Sequence, residues 1–354
     1  MSSIIAIIRL LSAFILIIPQ IINPLFYIPS MQKSYFEDWS PEMDYTHEYA
    51  INIKKDSNKD FVILNLADIQ LTNSEQFNSV GKEAFEMIDN LIEEQQPDLI
   101  TLTGDNAWSA VCYIELVKFI DSLNIPWAPV LGNHDGDGSI NDFWCSYICY
   151  ESENCLFKFG PYDMGYGNYI INITENGKII HSLYMMDTHS YKNYTTPDGK
   201  TYEDYDNLWN NQIEWYEWAV KGTNTLVGRT VESTVFLHIP VYEMKEVYES
   251  NYDRVNDKFT DVYAKGSFGV IHEIPCPGAE NNGFFDLVKE LGSTKNIIFG
   301  HDHINSGSVV IDGVRLTYGL KLGKGCYYEQ GMMGGTIITI NSYGKATVEH
   351  QYCA

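Results

Sequence analysis

From Phe61 to Asp135 the chain alternates uniformly apolar runs with amphipathic ones. "FVILNLADIQ" is apolar almost to its end, the pattern of a strand buried on both faces, and its run stops at Asp68. "SVGKEAFEMIDNLIEEQQ" follows, with Val80, Ala84, Met87, Ile88 and Leu91 at helical spacing. "PDLITLTGDN" reads as a second strand, "AVCYIELVKFIDSL" as a second helix and "IPWAPVLGNHD" as a third strand. Strand, helix, strand, helix, strand predicts parallel pairing through right-handed crossovers.

The second half is less regular. "GNYIINITENGKIIHSLYMMDTHS" predicts a hairpin turning at Asn176-Gly177. A tyrosine-rich loop then leads to an aromatic helix at "NNQIEWYEWAVKG", a strand at "STVFLHIPV" and a long irregular segment to about Asn282. A helix at "GFFDLVKEL", a strand ending in His301 and two hairpins, "SGSVVIDGVRLTYGL" and "GTIITINSYGKATVEHQY", close the chain. The pattern predicts one α/β domain of mixed α+β character over residues 50–354, built from two packed mixed β-sheets flanked by helices.

Composition narrows the function classes. Of 354 residues, 45% are hydrophobic, ample for a large core and too many for a disordered chain. Forty-seven acidic residues against 23 basic ones leave a net charge of −24, which repels polyanions and excludes nucleic acid as a bulk partner. A phosphorylated substrate would need a local positive charge, and a metal ion is the compact source.

Residues 1–30 are apolar apart from Arg9, and the longest greasy stretch, Leu10 to Ile18, is broken by Pro19. That length suits a cleaved signal peptide better than a membrane anchor, the alternative, and a membrane is a partner only if the segment stays uncleaved. Sequons at Asn172 and Asn193 fit a secreted protein or a lysosome-like lumen. Among seven cysteines, Cys145, Cys149 and Cys155 are close enough in sequence to pair locally.

The candidate chemistry sits where apolar runs end: Asp68, Gln70, Asp105, Asn133, His134, Asp135, His238, His301 and His303. Asp68 and Asp105 are 37 residues apart, and Asp105 and Asn133 are 28 apart, about the span of one βαβ unit. Neighbouring strand ends of one sheet therefore bring these groups together, at the edge where open α/β sheets bind ligands. Carboxylate, amide oxygen and imidazole in one pocket make a mixed oxygen and nitrogen site suited to Zn, Fe or Mn. Singly, Asp68 or Asp105 would read as a cap and His238 as a core histidine.

In order, "ADIQ", "TGDN", "LGNHD", "FLHIP" and "FGHDHIN" resemble the motifs of the calcineurin-like metallophosphoesterases, over roughly residues 61 to 305. The likeness is greatest to the small purple-acid-phosphatase-like branch, with features such as "GNY", "NQIEWY" and "HIPVYE". The resemblance implies a four-layer sandwich and two metal ions, Fe, Zn or Mn, bridged by Asp105. Asp68 and His303 would complete one metal site, where Gln70 could offer only an amide oxygen, and Asn133, His238 and His301 the other. It implies a bridging hydroxide attacking phosphorus in line, with His134, held by Asp135, as acid or charge stabiliser beside the leaving oxygen. Phosphomonoesters are the expected substrates. Diester cleavage, on nucleotides or phospholipid headgroups, and a non-catalytic binding role are the alternatives.

The pattern is broken twice. Gln70 stands where the family has His, and Trp108 where purple acid phosphatases have a ligating Tyr. The Asp68 metal is therefore expected to be held more weakly than its neighbour and to favour a hard ion such as Mn or Fe. Asn106, His189 and Asn305 are second-tier candidates for substrate or supporting contacts, and His189 reads more readily as structural. His181 and His350 read as structural.

Overall fold

The computed structural model describes residues 30–72, 79–137 and 140–353. The chain divides into two units, residues 1–35 and 36–354. Of the first, only residues 30–35 are described, with a 3₁₀ turn at Lys33–Tyr35, and the expected signal or anchor lies outside the described residues. Among the described residues no helix is long and apolar enough to cross a membrane.

In the second unit the first three predicted strands are β2 (Phe61–Leu66), β3 (Leu99–Thr103) and β4 (Trp127–Val130), parallel to one another and nearly all buried. The two crossovers contain α1 (Ser79–Gln95) and α2 (Ala110–Ser122). Ser109 caps α2 by accepting from the amide of Cys112. The last hairpin, β15 (Gly334–Ile340) and β16 (Ala346–Tyr352), adds antiparallel to β2, giving the order β16-β15-β2-β3-β4. Pro129 is tolerated because β4 is an edge strand of this sheet.

A seven-stranded mixed sheet takes the rest, in the order β1-β5-β6-β9-β12-β14-β13. Its strands are β1 (Ile51–Lys54), β5 (Tyr169–Glu175), β6 (Lys178–Met185), β9 (Glu232–Phe236), β12 (Thr294–Phe299), β13 (Ser308–Ile311) and β14 (Val314–Tyr318). The β5–β6 turn is at Asn176-Gly177 as predicted, both with positive φ (51° and 75°), the demand that selects Asn-Gly. Against one face pack α4 (Asn210–Val227) and α6 (Phe284–Leu291), burying Trp215, Tyr216, Phe284 and Val288 with Val235, Ile297 and Leu316 of the strands. The two sheets touch where the Tyr169 hydroxyl donates to Pro129 O at 2.7 Å.

Several local expectations change. The tyrosine-rich loop is a hairpin, β7 (Tyr191–Thr195) with β8 (Thr201–Tyr205), closed around Pro197-Asp198-Gly199. Short helices occupy Asp142–Tyr150 (α3) and Glu243–Asn251 (α5), a two-residue antiparallel pair, β10 (Tyr252–Asp253) with β11 (Lys258–Phe259), follows α5, and β1 lies in a stretch too polar to read as a strand. All seven cysteines are free. Cys145 and Cys149 are one turn apart on α3 because both pack inward, and the Cys145 thiol donates to Asp135 O at 3.2 Å. Asn172 is wholly buried in β5, whereas Asn193 is exposed on β7.

His181 is buried in β6, with Nδ1 on Gly344 O at 2.8 Å and Nε2 by Thr234 Oγ1 at 3.0 Å. Burial lowers its pKa to about 4. A depressed histidine is neutral in the fold and charges on unfolding, so its stabilising share is complete above the unfolded value near 6.5 and lost as pH falls toward 4. Wild type should therefore lose about 3 kcal/mol more than His181→Gln between pH 7 and pH 4 in denaturant titrations. Parallel losses in the two proteins would overturn that assignment.

Candidate metal centre

Five strand ends converge on one point. Asp68 and Gln70 follow β2, Asp105 follows β3 and Asn133 follows β4, while His238 follows β9 and His301 and His303 follow β12 of the other sheet. All seven side chains are buried. Four of these residues leave their strands in left-handed backbone: Asp68 (φ 50°), Gln70 (φ 44°), Asp105 (φ 52°) and His301 (φ 81°). Each such non-glycine residue costs on the order of 1 kcal/mol or more, and such strain collects at functional sites. It turns main-chain N–H groups inward: His134 N donates to Asp105 Oδ1 at 2.8 Å, and His301 N to Asp68 Oδ2 at 3.0 Å. Two glycines permit the closeness. A Cβ on Gly104 would lie 2.5 Å from His238 Nδ1, and one on Gly132 would lie 2.2 Å from Asp105 N.

His238 is the hub. Its Nδ1 donates to Thr103 O at 2.8 Å, which leaves Nε2 as a bare lone pair. Around Nε2 stand Asn133 Oδ1 at 2.9 Å, His301 Nδ1 at 3.3 Å and Asp105 Oδ1 at 3.4 Å. Ligands bonded to a Zn-like cation at roughly 2.0–2.2 Å stand about 3–3.5 Å from one another, so the spacing of these three donors from Nε2 suits an ion shared with it. Tyr191 holds the Asn133 amide from behind, 3.2 Å from Nδ2. One ligand atom each from Asp68, Asp105 and His238 also fall within 4.8 Å of one another.

Burial in this centre disfavours charge of either sign on its own side chains. Burial, then the neighbouring Asp105, raises Asp68 well above the carboxylate range. Burial also holds His301 well below the ordinary imidazole value and takes His303 down to about 2, so both rings are in the neutral, ligating form. His303 Nδ1 is fixed on Tyr327 O at 3.0 Å, and its Nε2 lies 3.6 Å from Asp68 Oδ1.

His134 sits at the mouth, with a side chain 29% exposed and its ring 4.5 Å from that of Trp108. Its partner is not Asp135. Nδ1 lies 2.7 Å from Asp137 Oδ2, because the turn after Asn133 carries residue 137 back beneath the ring. Asp135 points inward, accepting from Gly132 N at 2.8 Å, Asn106 N at 2.7 Å and Asn106 Nδ2 at 2.9 Å, and so locks two site loops together. Burial, then Asp105, pushes Asp135 up to about 7.

The other candidates separate cleanly. Asn106 serves Asp135, and its Oδ1 is buried without a hydrogen-bond partner. Asn305 is spent on the backbone of Glu273, and His189 on Gln212 Oε1 at 2.9 Å and a stack against Trp209. Asp302, between the two histidines, turns away to accept from Tyr318 Oη at 2.6 Å and Cys276 N at 3.2 Å. The tyrosine hairpin also reaches the centre, for Tyr205 sets its ring 4.4 Å from that of His301.

Lys321 is the residue that sequence reasoning missed. Its buried Nζ donates to Asp68 O at 2.6 Å and to Gln70 Oε1 at 3.2 Å. The one signal was a lone lysine inside the apolar "YGLKLG".

A model of the calcineurin-like phosphoesterase family matches residues 61–305, more than half of the chain. The chain belongs to that family. It is 29% identical, over 69% of its length, to "Probable inactive purple acid phosphatase 14" of Arabidopsis thaliana and 27% identical, over 72%, to "Phosphatase DCR2" of Saccharomyces cerevisiae. It spans 62% and 44% of those two relatives, less than two thirds of either. A solved dimetal phosphatase from Danio rerio aligns with 82% of this chain and 98% of its own, at 10% identity and a TM-score of 0.49.

For a calcineurin-like phosphoesterase the raised Asp68 has a direct consequence. A cation bound beside Asp68 stabilises its ionised form, so metal affinity should climb with pH. Calorimetry in buffers of different ionisation heat should show protons released as the ion binds, more at lower pH. Binding with no proton release would contradict it.

Proposed function

We propose that the chain is a metal-dependent phosphoesterase acting chiefly on phosphate monoesters. The observation that carries this reading is the four-donor cluster at His238 Nε2 with His134 at its open edge. A cation bound there supplies Lewis acidity toward phosphoryl oxygens and lowers the pKa of water. Asp105 Oδ1 holds the His134 amide, which fixes the acid's backbone to the metal ligand set. Asp137 takes Nδ1, so Nε2 is the nitrogen that gives a proton to a leaving oxygen. Trp108 packs against the same ring, 4.5 Å between centroids, and helps hold its orientation. The net charge of −24 disfavours nucleic acid as substrate.

A second reading, a non-catalytic phosphatase-like binding protein, draws support from Gln70, whose oxygen is engaged by Lys321. Chromogenic aryl phosphate mono- and diesters, assayed with Mn, Fe, Zn or Mg and with chelator, separate the two. The expected result is monoester hydrolysis abolished by chelation and restored by the ion. Ion binding without turnover under every condition would favour the second reading. We also propose export, on the apolar character of residues 1–30 and the exposed sequon at Asn193, to be tested by N-terminal sequencing of the mature chain and by glycosidase sensitivity.

A further inference from the structure

The half of the centre nearest Asp68 differs from the His238 half. Gln70 Nε2 donates to Asp105 Oδ2 at 2.9 Å, and Gln70 Oε1 accepts from Lys321 Nζ at 3.2 Å. The orientation of this amide is not free. An ammonium has only donors and a carboxylate only acceptors, so turning the amide over would set donor against donor and oxygen against oxygen. Both polar atoms of Gln70 are thereby committed, and its N–H faces the carboxylate oxygen that a bridging role would need. Asp68 Oδ1 and His303 Nε2, 3.6 Å apart, are then the two donors left for a second ion, fewer than the three or four protein ligands a zinc-type site requires. The amine of Lys321 lies beside them, with Nζ 2.6 Å from Asp68 O.

We propose that this protein holds one divalent cation, among Asp105, Asn133, His238 and His301, and that Lys321 with Gln70 replaces the second. The ammonium supplies the positive charge, and the amide supplies the partner for Asp105 Oδ2. This inference rests on the metal-dependent reading above and sharpens it. The weak Asp68 site expected from Gln70 alone becomes a site occupied by a side chain.

Native mass spectrometry and elemental analysis of the full chain equilibrated with Mn(II) test the count without reference to activity. One ion per chain, with the six-line electron paramagnetic resonance spectrum of an isolated Mn(II), is the expected result. The double variant Gln70→His with Lys321→Ala should rise to two ions and show an exchange-coupled pair. Two ions in the wild type would overturn the proposal, whatever the variants do. No ion in the wild type would instead overturn the metal-dependent reading on which it rests. A folded double variant still holding one ion would refute the role given to Lys321. Should that variant not fold, the single variant Gln70→His, which keeps the lysine, should still hold one tight ion and gain a weak second.

Discussion

Asp105→Ala should bind no cation at micromolar metal and should lose at least about a thousandfold in phosphoester turnover, since the ion contributes several kcal/mol to the transition state. Asp105 is the only carboxylate within 3.4 Å of His238 Nε2 among the described residues, and its two oxygens also anchor the His134 amide and the Gln70 side chain. Removing it leaves neutral donors alone around the hub. The far-ultraviolet circular dichroism should stay that of the wild type, because β3 ends before this residue and its register with β2 and β4 does not depend on it. A variant that keeps its ion and its rate would place the centre elsewhere.

His134→Ala is the second large effect, with a fall of about 10²- to 10⁴-fold in turnover and an unchanged metal count, the range for loss of a positioned general acid. The two neighbouring aspartates should then behave oppositely. Asp137→Asn keeps a polar partner on Nδ1 and should slow turnover by roughly tenfold through poorer orientation of the ring. Asp135→Asn turns one buried acceptor into a donor facing the N–H groups of Gly132 and Asn106, and should cost about 1–3 kcal/mol of stability. If Asp135→Asn slowed the reaction while Asp137→Asn did not, the hydrogen bond found for His134 would not be the one used.

The legible parts of this fold were those whose burial is two-sided. β2, β3 and β4 are covered on both faces and so appear as continuous apolar runs with polar residues at their ends. The spacing of those ends alone places Asp68, Asp105 and Asn133 on one sheet edge. β7 and β8 escaped because they form a small two-stranded sheet with mostly exposed residues, so no hydrophobic alternation marks them. α3 escaped because nine residues rich in aromatics and cysteines give too short a period. Of the acids near His134, the neighbour in sequence was the natural choice, but only the turn geometry selects residue 137. Lys321 was illegible for a stronger reason. Its partners, Asp68 and Gln70, are some 250 residues away, and a buried ammonium is visible only when they are in place.

The proposed single-ion centre draws its first ligand from residue 105 and its last from residue 301, with the strands behind them in different sheets. A ribosome must therefore translate past β12 before His301 can join His238, however early the first sheet assembles. Loading of the ion is a late event of maturation, and a nascent chain arrested before β12 has nowhere complete to put it.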